Sequence, residues 1–236
     1  MKEKSLYRLS SVSFFCPAYN DEKNLPVLVP HVSEFLKEIT DVYEIIIVHD
    51  GSPDKTGPVA DELAREYPNV RVIHHPKNMG YGATLRDGFL AATYDYVMYT
   101  DGDNQYDVRE FIPYLHLLET ADVLSGYVTK KANSFRRKVQ SEVWNVLISF
   151  LFFIRCRDIN CAMKIYKRRV LENISIKSSS CFIDAEMIIK AKKGGFKIAQ
   201  FPVTHFSRTG GLASGSKMNV IVPTIIEMIK YRFGAL

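Results

Sequence analysis

None of the four cysteines, Cys16, Cys156, Cys161 and Cys181, forms a Cys-x-x-Cys pair, so a zinc knuckle or a dithiol redox motif is excluded. They read as reduced, mostly buried thiols of a cytoplasmic protein. Long apolar runs are missing too. The longest, Val143–Ile154, is broken by Asn145 and Ser149, and as a helix it covers about 18 Å against the roughly 30 Å of a bilayer core. That excludes a spanning helix and leaves a buried core helix, the usual fate of so short a run, or one lying on a membrane. Met1–Ser13 carries charge but no apolar stretch, so no signal peptide is expected. There is no long basic run and no recognised nucleic-acid motif, which argues against nucleic acid as a partner. Charge of one sign is scarce as well: 31 basic against 26 acidic groups leave +5, an excess that suits an anionic ligand or membrane surface without requiring either.

What the chain has is apolar content, 47% of 236 residues, enough for one substantial core and one domain. Val12–Cys16, Tyr43–His49, Val70–His74, Tyr94–Thr100 and Asp122–Ser125 read as strands. Helical patterns at Leu25–Ile39, Pro58–Glu66, Tyr81–Ala92 and Val108–Leu118 separate them. Glu44-Ile45-Ile46-Ile47-Val48 is continuously apolar rather than alternating, as a strand covered on both faces requires. The rhythm predicts βαβ units and an α/β fold with a mainly parallel sheet. Further on, helices near Phe135–Ile154 and Asp184–Lys193, a strand near Lys197–Pro202, a Gly/Ser-rich loop to Ser216 and a final helix are expected.

In such sheets ligands sit beyond the carboxyl ends of the strands. Three acidic, turn-rich loops follow strands there: Pro17-Ala18-Tyr19-Asn20-Asp21-Glu22, Asp50-Gly51-Ser52-Pro53-Asp54 and Asp101-Gly102-Asp103-Asn104-Gln105. Asp101 and Asp103, two apart on a turn, can share one hard cation, helped by the Gln105 amide. Mg²⁺ or Mn²⁺ takes one or two carboxylates and completes its shell with water and substrate phosphate. An ordinary Asp-Gly turn is the plain alternative. Asn78-Met79-Gly80-Tyr81-Gly82-Ala83 opens a helix with glycines where a ligand can approach backbone amides, or simply caps that helix.

Taken together, Pro17-Ala18-Tyr19-Asn20-x-Glu22, Asp50-Gly51-Ser52-Pro53-Asp54, Asn78-x-Gly80-x-Gly82, Asp101-x-Asp103-x-Gln105, Asp184-x-Glu186 and Arg208-x-x-Gly211 resemble the family-two, GT-A-fold glycosyltransferases. Within them, they resemble the polyprenyl-phosphate sugar synthases of the dolichyl-phosphate mannose synthase kind. The likeness spans about residues 10 to 217. It implies a GT-A fold, a Rossmann-like three-layer α/β/α domain over 1–236. Residues about 10–126 would form the nucleotide-sugar half, about 127–217 the acceptor half and about 218–236 an amphipathic helix. It implies that Pro17, Tyr19, Asn20, Glu22, Asp50, Gly80 and Asp101 bind the nucleotide, and that Asp101, Asp103 and Gln105 hold Mg²⁺ or Mn²⁺. One departure is His49, where the family often carries a further Asp.

The expected reaction is inverting transfer of a hexose from a nucleotide diphosphate sugar, with the cation countering charge on the leaving phosphate. Asp103, Asp184 and Arg208 are the expected catalytic residues. Asp184 is a base or acceptor-orienting group, or else an N-terminal helix cap. A base is needed only for a hydroxyl acceptor, since a lipid phosphate with a second pKa of about 6 is already anionic. Arg208, Ser216 and Lys217 lie in a donor-rich loop suited to anionic groups, and Arg137 belongs to a basic cluster with Lys130, Lys131, Arg136 and Lys138. The apolar spacing of Val220, Ile221, Ile225, Met228 and Ile229 beside Lys217, Lys230 and Arg232 suits an interfacial helix, or docking on the core. The leading expectation is a polyprenyl-phosphate acceptor at the cytoplasmic face of a membrane. The alternatives are a hydroxyl on a glycan or protein, and more distantly a non-catalytic nucleotide- or membrane-binding module.

Overall fold

The structure, a computed structural model, describes residues 7–131, 135–207 and 218–235, with the side chains of 130–141 and 219 outside that description. Seven strands form one sheet: β1 (Val12–Ala18), β2 (Tyr43–His49), β3 (Val70–His74), β4 (Tyr96–Tyr99), β5 (Val123–Lys131), β6 (Lys164–Lys167) and β7 (Ile198–His205). Their order is β3-β2-β1-β4-β6-β5-β7. Pairings are parallel except where β6 runs antiparallel to both β4 and β5. Helices α1 (Leu25–Ile39), α2 (Thr56–Glu66), α3 (Tyr81–Ala91), α4 (Phe135–Phe152), α5 (Arg168–Glu172), α6 (Ile183–Lys193) and α7 (Met218–Arg232) complete the layers.

The continuously apolar strands are explained by the two cores. Phe14, Ile45 and Ile47 pack to one side of the sheet with α1, while their neighbours Phe15, Ile46 and Val48 pack to the other with α3 and α6. Each such side chain removed from water contributes about 1.5–3 kcal/mol, so neither face of β1 or β2 tolerates a polar residue cheaply. Because β1 lies between β2 and β4, the chain reverses direction across the sheet there, opening a crevice beyond the ends of β1 and β4. Asn20–Asn24 and Asp101–Gln105 border it.

Several expectations are corrected. α2 starts at Thr56 rather than Pro58, since Asp54 accepts the Thr56 amide (3.0 Å) and a proline in a first helical turn needs no amide partner. Val108–Glu119 is 3₁₀ rather than α, with Pro113 withholding an amide at its middle. β6 and α5 were not foreseen. The Val143–Ile154 run is half core: one side, with Ile148, Phe152 and Ile154, joins the core, and the other faces outward. Ile148 and Phe152 are buried, but Val143, Val146, Phe150 and Phe153, spaced along one face, are exposed, Phe150 at 74% and Phe153 at 86%. Among the described residues no helix is long and apolar enough to cross a membrane.

Candidate active site

The Asp101 turn fits where it does because residue 102 has no side chain. A Cβ there would stand 2.5 Å from the Pro17 carbonyl oxygen, so glycine lets the turn lie against the end of β1. Asp103 accepts the Gln105 amide (3.1 Å), an Asx-type turn that fixes its carboxylate, and it is buried. The Gln105 side-chain amide nitrogen donates to the Phe206 carbonyl (2.8 Å), tying the turn to the segment after β7.

Asp101 faces Asp184 through one phenol. The Tyr81 hydroxyl lies 3.2 Å from Asp101 Oδ1 and 3.4 Å from Asp184 Oδ2. Burial, then the charges of Asp103 and Asp184, pushes the Asp101 carboxyl up to about 8. Burial and the same carboxylates, Asp101 and Asp184, hold the Tyr81 phenol well above its ordinary value, so it remains a donor.

Asp184 is held from the other side. Lys164 Nζ donates to Asp184 Oδ1 (2.7 Å), to the Tyr99 hydroxyl oxygen (3.0 Å) and to the Cys161 carbonyl (2.6 Å), and Tyr99 donates to Asp184 Oδ1. Both members of the ion pair are buried. Lys164 gets there through topology: β6 runs antiparallel to β4, which sets its first residue opposite Tyr99, the last of β4. Asp184 is the second residue of α6 and Phe182 the cap, so the capping alternative is not what forms. Glu186 is turned away from the crevice, accepting the Lys177 and Ser178 amides and the Lys190 ammonium.

The remaining donor-side residues line up along the same edge. Asp50 is buried, with Oδ1 accepting the Met79 amide (2.7 Å) and Oδ2 the Gly80 amide (3.0 Å), while His75 Nδ1 lies 2.7 Å from Oδ1. It shapes the Gly80 loop from beneath. Gly80 itself has φ 90° and open space where a Cβ would be. Glu22 accepts the Lys55 amide, and Asn20, at φ 59°, donates its amide to the Ser52 hydroxyl. Tyr19 is exposed at the rim. His49 Nε2 accepts the Ser52 amide (3.0 Å), so a neutral His49 carries its proton on Nδ1 and gives it to His74 Nδ1 (3.0 Å). His74 Nε2 then donates to Asp61 (3.0 Å).

A sequence model of glycosyl transferase family 2 matches residues 13–175. The chain belongs to this family. Among family relatives it is 32% identical to polyprenol monophosphomannose synthase of Mycolicibacterium smegmatis over 218 residues, 86% of this chain and 80% of that one. It is 29% identical to dolichyl-phosphate beta-glucosyltransferase ALG5A of Trichomonas vaginalis over 243 residues, 95% of this chain and 75% of that one. Glycosyltransferase AglD of Haloferax volcanii is 31% identical over 81% of this chain, which spans 32% of that protein's length. Glucosyl-3-phosphoglycerate synthase from Mycobacterium tuberculosis, solved with Mn²⁺, UDP and glucosyl-3-phosphoglycerate, superposes with a TM-score of 0.72 at 17% identity. That superposition covers 96% of this chain and 81% of that one, a likeness of GT-A fold.

Within the family frame, the structure brings Asp101 and Asp184 together at Tyr81, with Asp103 beside Asp101 on the same turn, and places Asp50, Gly80, Asn20 and Glu22 along the same edge. Arg208, Ser216 and Lys217 lie outside the described residues, as does the Arg137 side chain. Lys164, Tyr99 and Tyr81 are the participants that sequence reasoning passed over. The one available signal was Lys164 itself, a lysine between Met163 and Ile165 in an otherwise apolar stretch.

The donor set fits a hard divalent cation. Among the described residues no cluster of three or more His, Cys, Asp or Glu is arranged to hold one. Asp101 and Asp103 would supply two carboxylates to a cation that completes its shell with substrate phosphate. Burial first, and then Asp103 and Asp184, raise the Asp101 carboxyl, and a cation bound there would favour its ionised form.

Proposed function

We propose that this glycosyltransferase moves a hexose, with inversion, from a nucleotide diphosphate sugar to a polyprenyl phosphate on a membrane surface. The observation that carries the acceptor is the apolar outer face of its helices. In α7, Thr224 and Met228 are buried, yet Val222, Ile225, Ile226 and Ile229 are exposed, as is Phe233 just past its end, at 80%. With Val143, Val146, Phe150 and Phe153 of the α4 segment, they offer water a surface that a soluble acceptor does not require and a lipid interface does. The polyprenol- and dolichyl-phosphate relatives support the same acceptor class.

Asp101 and Asp103 would hold Mg²⁺ or Mn²⁺, which supplies Lewis-acid stabilisation of the departing diphosphate when bound. The chain's own part is orientation. Gly80 leaves room for phosphate beside backbone amides, and Asn20, Glu22 and Asp50 fix the loops that frame the nucleoside. Asp184 Oδ1 is held by Lys164 and Tyr99, so the carboxylate is fixed in place. A phosphate acceptor needs no base, and the fixed Asp184 side chain bounds the acceptor side of the site. We assign residues 10–126 to the donor half of a single domain and the remainder to the acceptor half.

The test is to incubate the protein with labelled UDP-, GDP- or dTDP-hexose, Mn²⁺ or Mg²⁺, and polyprenyl phosphate in lipid vesicles. Cation-dependent, organic-extractable sugar lipid is expected. No such product with any donor sinks the assignment.

A further inference from the structure

Glu227, on α7, belongs to no motif of the site, yet its carboxylate accepts four hydrogen bonds from one turn. Oε1 takes the Ser179 amide (3.0 Å) and hydroxyl (2.7 Å), and Oε2 takes the Ser180 amide (3.0 Å) and hydroxyl (2.6 Å). Burial pulls this carboxyl upward, but the Ser180 and Ser179 donors outweigh it and leave it below its ordinary value. The clasped turn leads straight into α6: the Ser180 carbonyl accepts the Ile183 amide and its hydroxyl the Phe182 amide. Asp184 is the next residue.

The same turn also bears on the opposite wall of the site. A Cβ on Gly82 would stand 2.3 Å from the Ser179 carbonyl carbon and 2.4 Å from the Ser180 oxygen, so the turn rests directly on α3. The neighbour of Gly82 is Tyr81, whose phenol joins Asp101 to Asp184. Behind the clasp, Tyr231 packs against Phe182 and Phe152 with ring centroids 5.5 and 5.7 Å away, which braces α7 on the start of α6 and the end of α4.

We infer that Glu227 is a positioning residue for sugar transfer: by clasping Ser179 and Ser180 it sets the register of Asp184 against Tyr81 and Asp101, and so ties the outward-facing helix α7 to the acceptor side of the site. This deepens the reading above and rests on it for the role of Asp184. A four-fold acceptor offers something a simple packing contact does not. Replacing one carboxylate oxygen by an amide turns an acceptor into a donor facing donors, and the turn must shift.

Cys181, inside the clasped turn, reports on it without reference to any acceptor. Burial, then Asp184, Asp101 and Glu227, holds its thiol up at about 12, while Cys16 and Cys161 are fully buried. In a Cys156→Ser background, Glu227→Gln is expected to speed labelling of Cys181 by an aromatic disulfide at pH 8 at least about tenfold, because a loosened turn exposes a thiol nearer its ordinary pKa. It is also expected to lower kcat about tenfold, read as nucleoside diphosphate release, with donor KM within about twofold of the parent. Ser179→Ala/Ser180→Ala, which keeps both amide donors, should move both readouts the same way by less, and it serves if Glu227→Gln folds poorly. Labelling unchanged in both variants overturns the clasp. Faster labelling with unaltered kcat, or an equal loss in donor affinity, overturns the positioning role. If the parent makes no sugar lipid, the acceptor assignment falls while the labelling comparison still decides the clasp.

Discussion

Consider removing the ammonium that faces Asp184. Lys164→Met keeps most of the buried stem but leaves a carboxylate with a nearly dry side chain, 3% exposed, next to Asp101 and Asp103. Breaking a buried pair from one side costs about 3–5 kcal/mol, because an uncompensated charge stays behind. In a protein of this length about 1 kcal/mol corresponds to about 2–4 °C, so Tm should fall by roughly 6–20 °C. Asp184→Asn strands the lysine instead and should also destabilise. The double variant, Lys164→Met with Asp184→Asn, removes both charges, and its cost should fall short of the sum of the singles by about 0.5–3 kcal/mol. Urea unfolding at constant m gives all three values. A Lys164→Met penalty under about 1 kcal/mol, or strict additivity, would refute the view that this pair is a coupled, desolvated unit.

Other consequences are as direct. Asp103→Ala should abolish cation-dependent nucleotide diphosphate binding in calorimetry while leaving the fold intact; retained affinity removes the basis for the metal site. Gly102→Ala, with its Cβ 2.5 Å from the Pro17 oxygen, should cost about 1–3 kcal/mol in unfolding and weaken the same binding, since the turn must lift from β1. Burial, then the neighbouring His74, holds His49 below the ordinary histidine value, with Asp54 and Asp50 opposing. The unfolded chain therefore takes the proton first, and His49's share of stability is present above about pH 6.5 and lost as pH falls toward its folded value. His49→Asn should flatten the unfolding free energy between about pH 6.5 and 5, and an unaltered slope would contradict the tautomer chain through His74.

The parallel half of the fold could be read from the sequence because its strands are buried on both faces: Ile45 to Val48 allow little else. The acidic loops were legible for a related reason, since turn residues at strand ends can only gather on one edge. What escaped was contributed by long-range pairing. β6 has four residues, two of them lysines, and no periodicity; only its place beside Tyr99 makes Lys164 part of the site. Glu227 was equally silent, one acidic residue in an amphipathic helix until the Ser179 turn is brought to it. The apolar run of α4 could be read only as core or surface-lying, and it is partly each, because composition gives the length of a stripe but not which neighbours cover it. Gly82, grouped with Gly80 as a ligand-facing glycine, instead accommodates Ser179 and Ser180.

The single reversed strand has an outcome for synthesis. A ribosome that has delivered the loops through Asp103 has supplied β4, while the strand that pairs with its outer edge is about sixty residues away and inserts between β4 and β5. Until β6 arrives, the growing sheet ends at β4 with an open edge. The first half is therefore expected to stay unfinished on its own, and the centre to close only after residues 164–167 pair with β4 and Asp184 follows on α6.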